Sequence, residues 1–278
     1  MTMNLPATPP TTQAAPLIAR SLLFVPGDRP ERFAKAAASG AHAVIIDLED
    51  AVSACDKVMA REAAHAFFAA GGSAMLRINS LDTAWIHDDL LLCREAGVTG
   101  VVLPKAETVA DIVEVARGLR ADTPVMPLIE TAKGMLNARD IALAPAVLRL
   151  IFGTVDFCLD LNIEGDGDEL ASHRAWLSLV SRTCGLQPPV DGVTLSLKDE
   201  SLLKVATLAV KRFGFGGKLC IHPSQVASVN ACFQPTSAQV EWARRVLERA
   251  GSSAGAFEFE GKMVDAPVIA RARRLIDG

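Results

Sequence analysis

The chain has 278 residues, half of them hydrophobic, and a formal net charge of −4. That length and polarity suffice for a large buried core in one domain or two. The mild acidity excludes functions built on basic surfaces, such as binding nucleic acid or an anionic membrane face. No apolar run approaches the ~18 residues of a membrane span. Residues 1–20 are rich in Thr, Pro and Ala, carry their only charge at Arg20, and lack the basic start and apolar block of a secretory leader. They read as a disordered tail. Six cysteines without CxxC spacing and five histidines without HExxH spacing read as reduced thiols in a cytoplasmic protein with no zinc site.

From Ser21 onward, short apolar runs alternate with amphipathic stretches. The runs are SLLFVPG (21–27), AVIIDLED (43–50), AMLRINS (74–80), GVVLPKA (100–106), VMPLIET (125–131), LRLIFGTVD (148–156), DGVTLSL (191–197) and KLCIHPS (218–224). Their spacing is regular except for one longer gap between the sixth and seventh. Continuous apolar strands separated by helices predict a parallel sheet covered on its faces. Eight such units predict an α/β fold, a (β/α)8 barrel over residues 21–236. An open doubly wound sheet would favour a GxGxxG turn after its first strand, where this chain has PGDRPE. GFGGK (214–218) lacks phosphate-loop spacing and precedes a strand, so it reads as a turn. Residues 237–278 exceed the eight units. SAQVEWARRVLERA predicts a helix, GSSAGAFEFEGK breaks it, and DAPVIARARRLI starts another. Together they read as a helical C-terminal extension or lid over a barrel mouth, its own or a neighbour's.

Barrel active sites form at the C-terminal ends of the strands. The second run ends on Asp47, Glu49 and Asp50, the third carries Arg77 and Asn79, and the fourth ends on Lys105. The fifth, sixth and eighth end on Glu130, Asp156 and His222. Alternation places Asp47 and Glu49 on the face of Ile45, and Glu130 on the face of Leu128 and Met126, toward the barrel axis. Carboxylates gathered there repel one another unless a cation compensates. Oxygen ligands without His or Cys favour Mg²⁺, or Mn²⁺. Glu130 and Asp156 read as metal ligands, Asp47 and Glu49 as groups that hold metal-bound water, and Arg77 and Lys105 as nearby positive charge. Each acid has a plainer alternative as a helix cap. For Glu130 the neighbouring Thr131 is the better cap, while for Asp50 the two readings are balanced. His222 reads as structural, and Asp28 with Glu31 as a D-x-x-E capping box. Arg29, Arg32 and Lys35 read by default as a solvated face.

With these residues in place the chain resembles the citrate lyase beta-subunit family, within the wider acyl-CoA lyases and keto-acid aldolases. The matching segments are RSLLFVPGDRPERFAKAAASGAHAVIIDLEDAV, LRINS, VVLPKAE, PLIETAKG, FGTVDFCLDL, GKLCIHPSQV and GKMVDAPVIARA, in family order from residue 20 to about 275. The resemblance implies an oligomeric (β/α)8 barrel, often a homotrimer, with Mg²⁺ held by Glu130 of IET and Asp156 of VDF. It implies that Arg77 binds substrate oxygens and that Glu49 and Asp50 order metal-bound water. Asp265 of MVD would reach an active site, sometimes a neighbouring chain's, and also suits an N-cap ahead of Pro267. Two departures stand out. Val155 replaces the acid that many relatives carry before the metal-binding aspartate, and TLSLKD replaces a seventh strand that often carries an acid and an aromatic or basic residue.

The implied reaction is reversible carbon–carbon cleavage of a malyl, citramalyl or citryl thioester into acetyl-CoA, or a related acyl thioester, and a 2-oxo acid. Asp265 is the candidate proton carrier, and Arg29, Arg32 and Lys35 are the candidate partners of the CoA phosphates. The alternatives are an aldolase for free hydroxy-keto acids, a citrate lyase subunit working on an acyl-carrier partner, and a non-catalytic binding protein.

Overall fold

The structure is a computed structural model in which residues 18–252 and 255–277 are described. Most of the expected N-terminal tail, residues 1–17, lies outside the described residues. Eight parallel strands close into a barrel in sequence order: β1 (Ser21–Pro26), β2 (Ala43–Asp47), β3 (Ala74–Arg77), β4 (Val98–Leu103), β5 (Val125–Ile129), β6 (Ile151–Phe152), β7 (Val190–Asp191) and β8 (Gly217–Cys220). Closure pairs β8 with β1, Leu22 lying opposite Leu219.

Strand alternation sorts the apolar residues into two cores. Inside the barrel, Leu22, Ile45, Met75, Val102, Met126, Leu128, Ile151, Val190 and Leu219 form one buried layer. Their neighbours Leu23, Ile46, Leu76, Val101, Ile129 and Phe152 point outward and pack under the helices. The inner layer is a filled core, so only its upper rim can carry chemistry.

The longer gap between the sixth and seventh runs holds two helices, Thr154–Leu161 and Ala171–Thr183. The sixth and seventh strands are shorter than the sequence predicts. The chain leaves the sheet at Gly153 and begins a helix, so Asp156 stands in a first helical turn and not at a strand end. Residues 192–197 likewise run outside the sheet. A Cβ at Gly192 would collide with Thr154 Oγ1 and lie 3.0 Å from the Phe152 carbonyl, so the two connections cross in close contact there.

After the barrel come a helix (Ser237–Gly251), an antiparallel hairpin of β9 (Phe257–Phe259) and β10 (Lys262–Val264), and a last helix (Ala266–Asp277). The hairpin is absent from the sequence reading. Its two-residue loop, Glu260–Gly261, has positive φ at both positions, 52° and 72°, as a tight primed turn requires. These elements share a small core of their own around Ala243, Val246, Val264 and Ala272. Among the described residues no helix is long and apolar enough to cross a membrane.

Candidate active site at the barrel mouth

The parallel register decides the first contact of the site. Asp47 on β2 is paired with Arg77 on β3, and both side chains rise from the inner face. Arg77 Nε donates to Asp47 Oδ1 at 2.7 Å and its Nη2 to Asp47 Oδ2 at 2.5 Å, a two-pronged ion pair. Arg77 Nη1 lies 3.0 Å from Glu49 Oε2 and 3.8 Å from Asp50 Oδ2. The guanidinium also stacks 4.7 Å from the centre of the Phe24 ring. Burial works against its charge, but the carboxylates around it outweigh that and hold it above the usual arginine value. Arg77 is therefore a fixed, permanently charged group with little freedom to turn.

The loop after β2 is tied down from below. Asp47 accepts hydrogen bonds from the Glu49 and Ala51 amides. Behind it, buried Lys57 donates to the Leu48 and Glu49 carbonyls at 2.7 and 2.8 Å and to Asn79 Oδ1 at 2.6 Å. Asn79 in turn donates to buried Asp89. Asn79 thus supports the site from underneath. Lys57 and Phe24 were missed in the sequence, where a lysine inside a helix and an aromatic inside a strand carry no signal of their own.

Glu130 follows β5 and is 3% exposed. Its Oε1 accepts from the Lys105 amide at 2.7 Å. Its Oε2 faces Gly153, where an added Cβ would lie only 2.7 Å away. The helix cap beside it is Thr131, which accepts from the Gly134 amide at 3.0 Å. Glu130 is thus not spent on capping. Burial pushes its carboxyl up to about 8, with the Lys105 amide opposing and Glu49 and Asp156 adding repulsion. Glu49 is pushed up to about 7, again by burial first, with Arg77 opposing and Asp50 and Asp47 adding. Glu49 Oε2 is buried, and although it pairs electrostatically with Arg77, the alignment is not that of a hydrogen bond.

Asp47, Asp50, Arg77, Glu130 and Asp156 line one cavity of about 400 Å³ at the barrel mouth. Both carboxyls are raised first by desolvation and then by the acids around them, a penalty that a cation among them would offset. Among the described residues, no group of three or more His, Cys, Asp or Glu side chains is arranged to hold a metal. The cavity's donors are carboxylate oxygens, the type that suits a hard divalent ion taking one or two carboxylates and leaving its other positions to water and substrate.

Other expected residues fall elsewhere. Lys105 is exposed, has a left-handed backbone (φ 48°), and meets the site through its amide; its side chain is not among those lining the cavity. Arg29, Arg32 and Lys35 are exposed just past β1 and do not line it either. Asp28 is not the cap of a D-x-x-E box: the turn Pro30–Arg32 is preceded by Arg29, whose guanidinium has no acceptor to offer, and it has no side-chain cap. Asp50 caps no helix; Ser53 and Asp56 precede the helical turns that follow. His222 caps the helix Pro223–Phe233 through the Ser224 amide, a structural role. Asp265 accepts from the Val268 amide at 3.3 Å as the cap of the last helix and is not among the residues lining the cavity of its own barrel. Lys218, within GFGGK, is buried in an ion pair with Asp191 at 2.7 Å, as suits a turn leading into a strand.

The HpcH/HpaI aldolase/citrate lyase family model matches residues 20–223. The chain belongs to this family. The match spans all eight strands and stops before the C-terminal helices and hairpin. A citrate lyase subunit beta-like protein of Deinococcus radiodurans is 36% identical over 280 residues, covering 95% of this chain and 98% of the relative. A (3S)-malyl-CoA thioesterase of Cereibacter sphaeroides is 35% identical, covering 92% and 93%. The crystal structure of CitE from Mycobacterium tuberculosis in complex with magnesium, acetoacetate and coenzyme A matches with a TM-score of 0.82 at 36% identity, covering 93% of this chain and 97% of that one. The chain is thus an enzyme of a carbon–carbon lyase family, built on that family's barrel.

Proposed function

We propose that this chain catalyses the reversible, Mg²⁺-dependent cleavage of a 3-hydroxyacyl thioester into an acyl thioester, such as acetyl-CoA, and a 2-oxo acid. The observation that carries this reading is the pairing of Glu130, buried and free of capping duty, with Asp156 in one cavity beside the immobilised Arg77. That a relative of 36% identity was crystallised with magnesium, acetoacetate and coenzyme A supports a magnesium ion and a coenzyme A thioester for this chain. A bound Mg²⁺, held by Glu130 and Asp156, would supply Lewis acidity to the hydroxyl and carboxylate oxygens of the substrate.

This chain's own groups do the rest. Arg77 binds a substrate oxygen and stabilises negative charge as it develops; it has no reorganisation to make, because Asp47 and Phe24 already hold it. Glu49 and Asp50 orient water beside the two ligand carboxylates. Asp265 moves the proton: in cleavage it takes the hydroxyl proton and delivers it to the carbon that becomes the acetyl methyl, and in condensation it carries a proton from that methyl to the oxygen that becomes the hydroxyl. Asp265 is not among the residues lining its own cavity, which favours its delivery from a neighbouring copy in a homo-oligomer, a trimer or hexamer. Arg29, Arg32 and Lys35, exposed beside β1, meet the CoA phosphates or those of an acyl-carrier partner.

The relative named as a thioesterase favours a second reading, hydrolysis of the thioester with the carbon skeleton intact. Product analysis separates the two. Malyl-, citramalyl- and citryl-CoA are incubated with Mg²⁺ or with EDTA, and 2-oxo acid, free hydroxy acid and free thiol are followed. Lyase activity gives Mg²⁺-dependent 2-oxo acid from at least one ester, falling about 100-fold or more in Glu130→Gln and Asp156→Asn. Free hydroxy acid and thiol without any 2-oxo acid would establish the second reading instead.

A further inference from the structure

A group of buried charges outside the mouth takes no part in the proposed chemistry. Val190 and Leu219 belong to the inner layer, so alternation turns Asp191 of β7 and Lys218 of β8 outward. Arg174 of the helix Ala171–Thr183 meets them there, and all three side chains are buried. Arg174 Nε donates to Asp191 Oδ1 at 2.9 Å. Lys218 Nζ donates to Asp191 Oδ2 at 2.7 Å and to the Gly192 carbonyl at 2.8 Å. The rest of the guanidinium grips the loop ahead of its own helix. Nη1 donates to the Asp166 and Gly167 carbonyls, and Nη2 pairs with the Asp166 carboxylate.

Both ends of this network close on the segment that carries Asp156. At one end Gly192, held by Lys218, lies so close to Thr154 that an added Cβ would collide with its Oγ1. At the other, Asp166 Oδ2 accepts from Thr154 Oγ1 at 3.5 Å. Thr154 is buried, opens the helix Thr154–Leu161 and stands two residues before Asp156. Asp166 and Asp191 balance Arg174 and Lys218, so the network is neutral. A buried network of this kind gains little net stability over apolar residues of the same size. What it does is fix geometry, because every donor and acceptor is satisfied in one arrangement. We infer that Arg174 is a positioning residue for the metal site: through Asp191 and Asp166 it locks the first turn of the helix after β6, and so sets where the Asp156 carboxylate stands relative to Glu130. This rests on Glu130 and Asp156 being ligands of one divalent ion, and extends that reading to a residue outside the cavity lining.

Mn²⁺ binding to the full-length protein, followed by loss of the free-ion EPR signal at one fixed pH, tests the inference without turnover. Glu130→Gln marks the site and is expected to weaken binding at least tenfold. Arg174→Met removes the guanidinium but leaves Asp191 and Lys218 as a neutral pair and Asp166 half-exposed to water, so the fold should survive. If it does not, Asp166→Ala, at the half-exposed end of the network, decides the matter. The expected result is a Mn²⁺ Kd raised at least fivefold, with an altered zero-field splitting in the spectrum of the bound ion. Ile112→Ala, which truncates a buried side chain of the helix Val109–Gly118, is the control: it lowers Tm and moves the Kd less than twofold. A Kd changed less than fivefold by loss of Arg174 overturns the inference and leaves the metal reading intact. An equal rise in Kd in Ile112→Ala also overturns it, because the effect then follows stability alone. Mn²⁺ binding that Glu130→Gln does not weaken, or no binding at all, overturns the metal reading and the inference with it.

Discussion

Glu130 is held under opposing demands. Its position after a buried strand removes water from the carboxylate, and Glu49 and Asp156 add repulsion, so the folded protein keeps its proton up to about pH 8, far above the ordinary 4.5. Between those two values the folded state binds more protons than the unfolded chain, so the stability of the metal-free protein falls as pH rises. A divalent ion held at the proposed site would bind the ionised form and reverse that penalty, so its effect would grow over the same window. Thermal unfolding at pH 6 and pH 8.5, with and without one fixed concentration of Mg²⁺, is expected to show a larger Mg²⁺-induced rise in Tm at the higher pH. Glu130→Gln should abolish the Mg²⁺ shift and reduce the pH slope to the part that Glu49 carries. An equal Mg²⁺ shift at both pH values would remove Glu130 from the site. Glu130 and Asp47 were legible in the sequence because strand alternation fixes a face, and an acid continuing an apolar inner face has only the barrel mouth to enter. Phe24 and Lys57 were not, because their roles come from register and packing between segments far apart in sequence.

At the scale of elements, the short β6 and β7 strands shape the site. The run LRLIFGTVD reads as one strand because its apolar and β-branched residues hide a change of geometry. The change occurs at Gly153, whose missing side chain leaves room for Glu130: an added Cβ would lie 2.6 Å from the Glu130 Cβ and 2.7 Å from its Oε2. Gly153 is followed directly by the helix that carries Asp156, so one glycine controls the spacing of both proposed ligands. Gly153→Ala is expected to lower stability by roughly 1–3 kcal/mol, the usual range for overpacking, and to weaken Mg²⁺ binding at least tenfold by calorimetry. A variant that loses stability but binds Mg²⁺ normally would show that the glycine serves packing alone. The eight-unit pattern and the extra connection before β7 were legible because helix and strand periods differ. The exact strand ends were not, because close backbone crossings such as Gly192 against Thr154 exist only in three dimensions.

Over the whole molecule, the barrel's two cores and a smaller third one divide the labour. The barrel core fixes the cavity, and the C-terminal helices and hairpin pack around Val264, next to Asp265, with a core of their own. That arrangement presents Asp265 as the cap of the last helix, and it is not among the residues lining its own barrel mouth. If the catalytic aspartate is supplied by a second copy, mixing the inactive variants Glu130→Gln and Asp265→Asn should restore activity on subunit exchange, because some sites then combine an intact barrel with an intact aspartate. No recovery after demonstrated exchange would place Asp265 in its own chain's reaction or outside catalysis. The aspartate's reach was written in the MVD segment only as a resemblance; its capping role was legible from the helix-start pattern Asp-Ala-Pro.

The account depends most on Glu130 and Asp156 sharing one divalent ion. The direct measurement is a crystal structure of the protein grown with Mn²⁺ in place of Mg²⁺, with anomalous difference density locating the metal. The predicted result is a single strong peak at the barrel mouth, about 2.1–2.2 Å from an oxygen of each carboxylate, with its remaining positions taken by water. A peak bound by neither residue, or a mouth without one at saturating Mn²⁺, would contradict it.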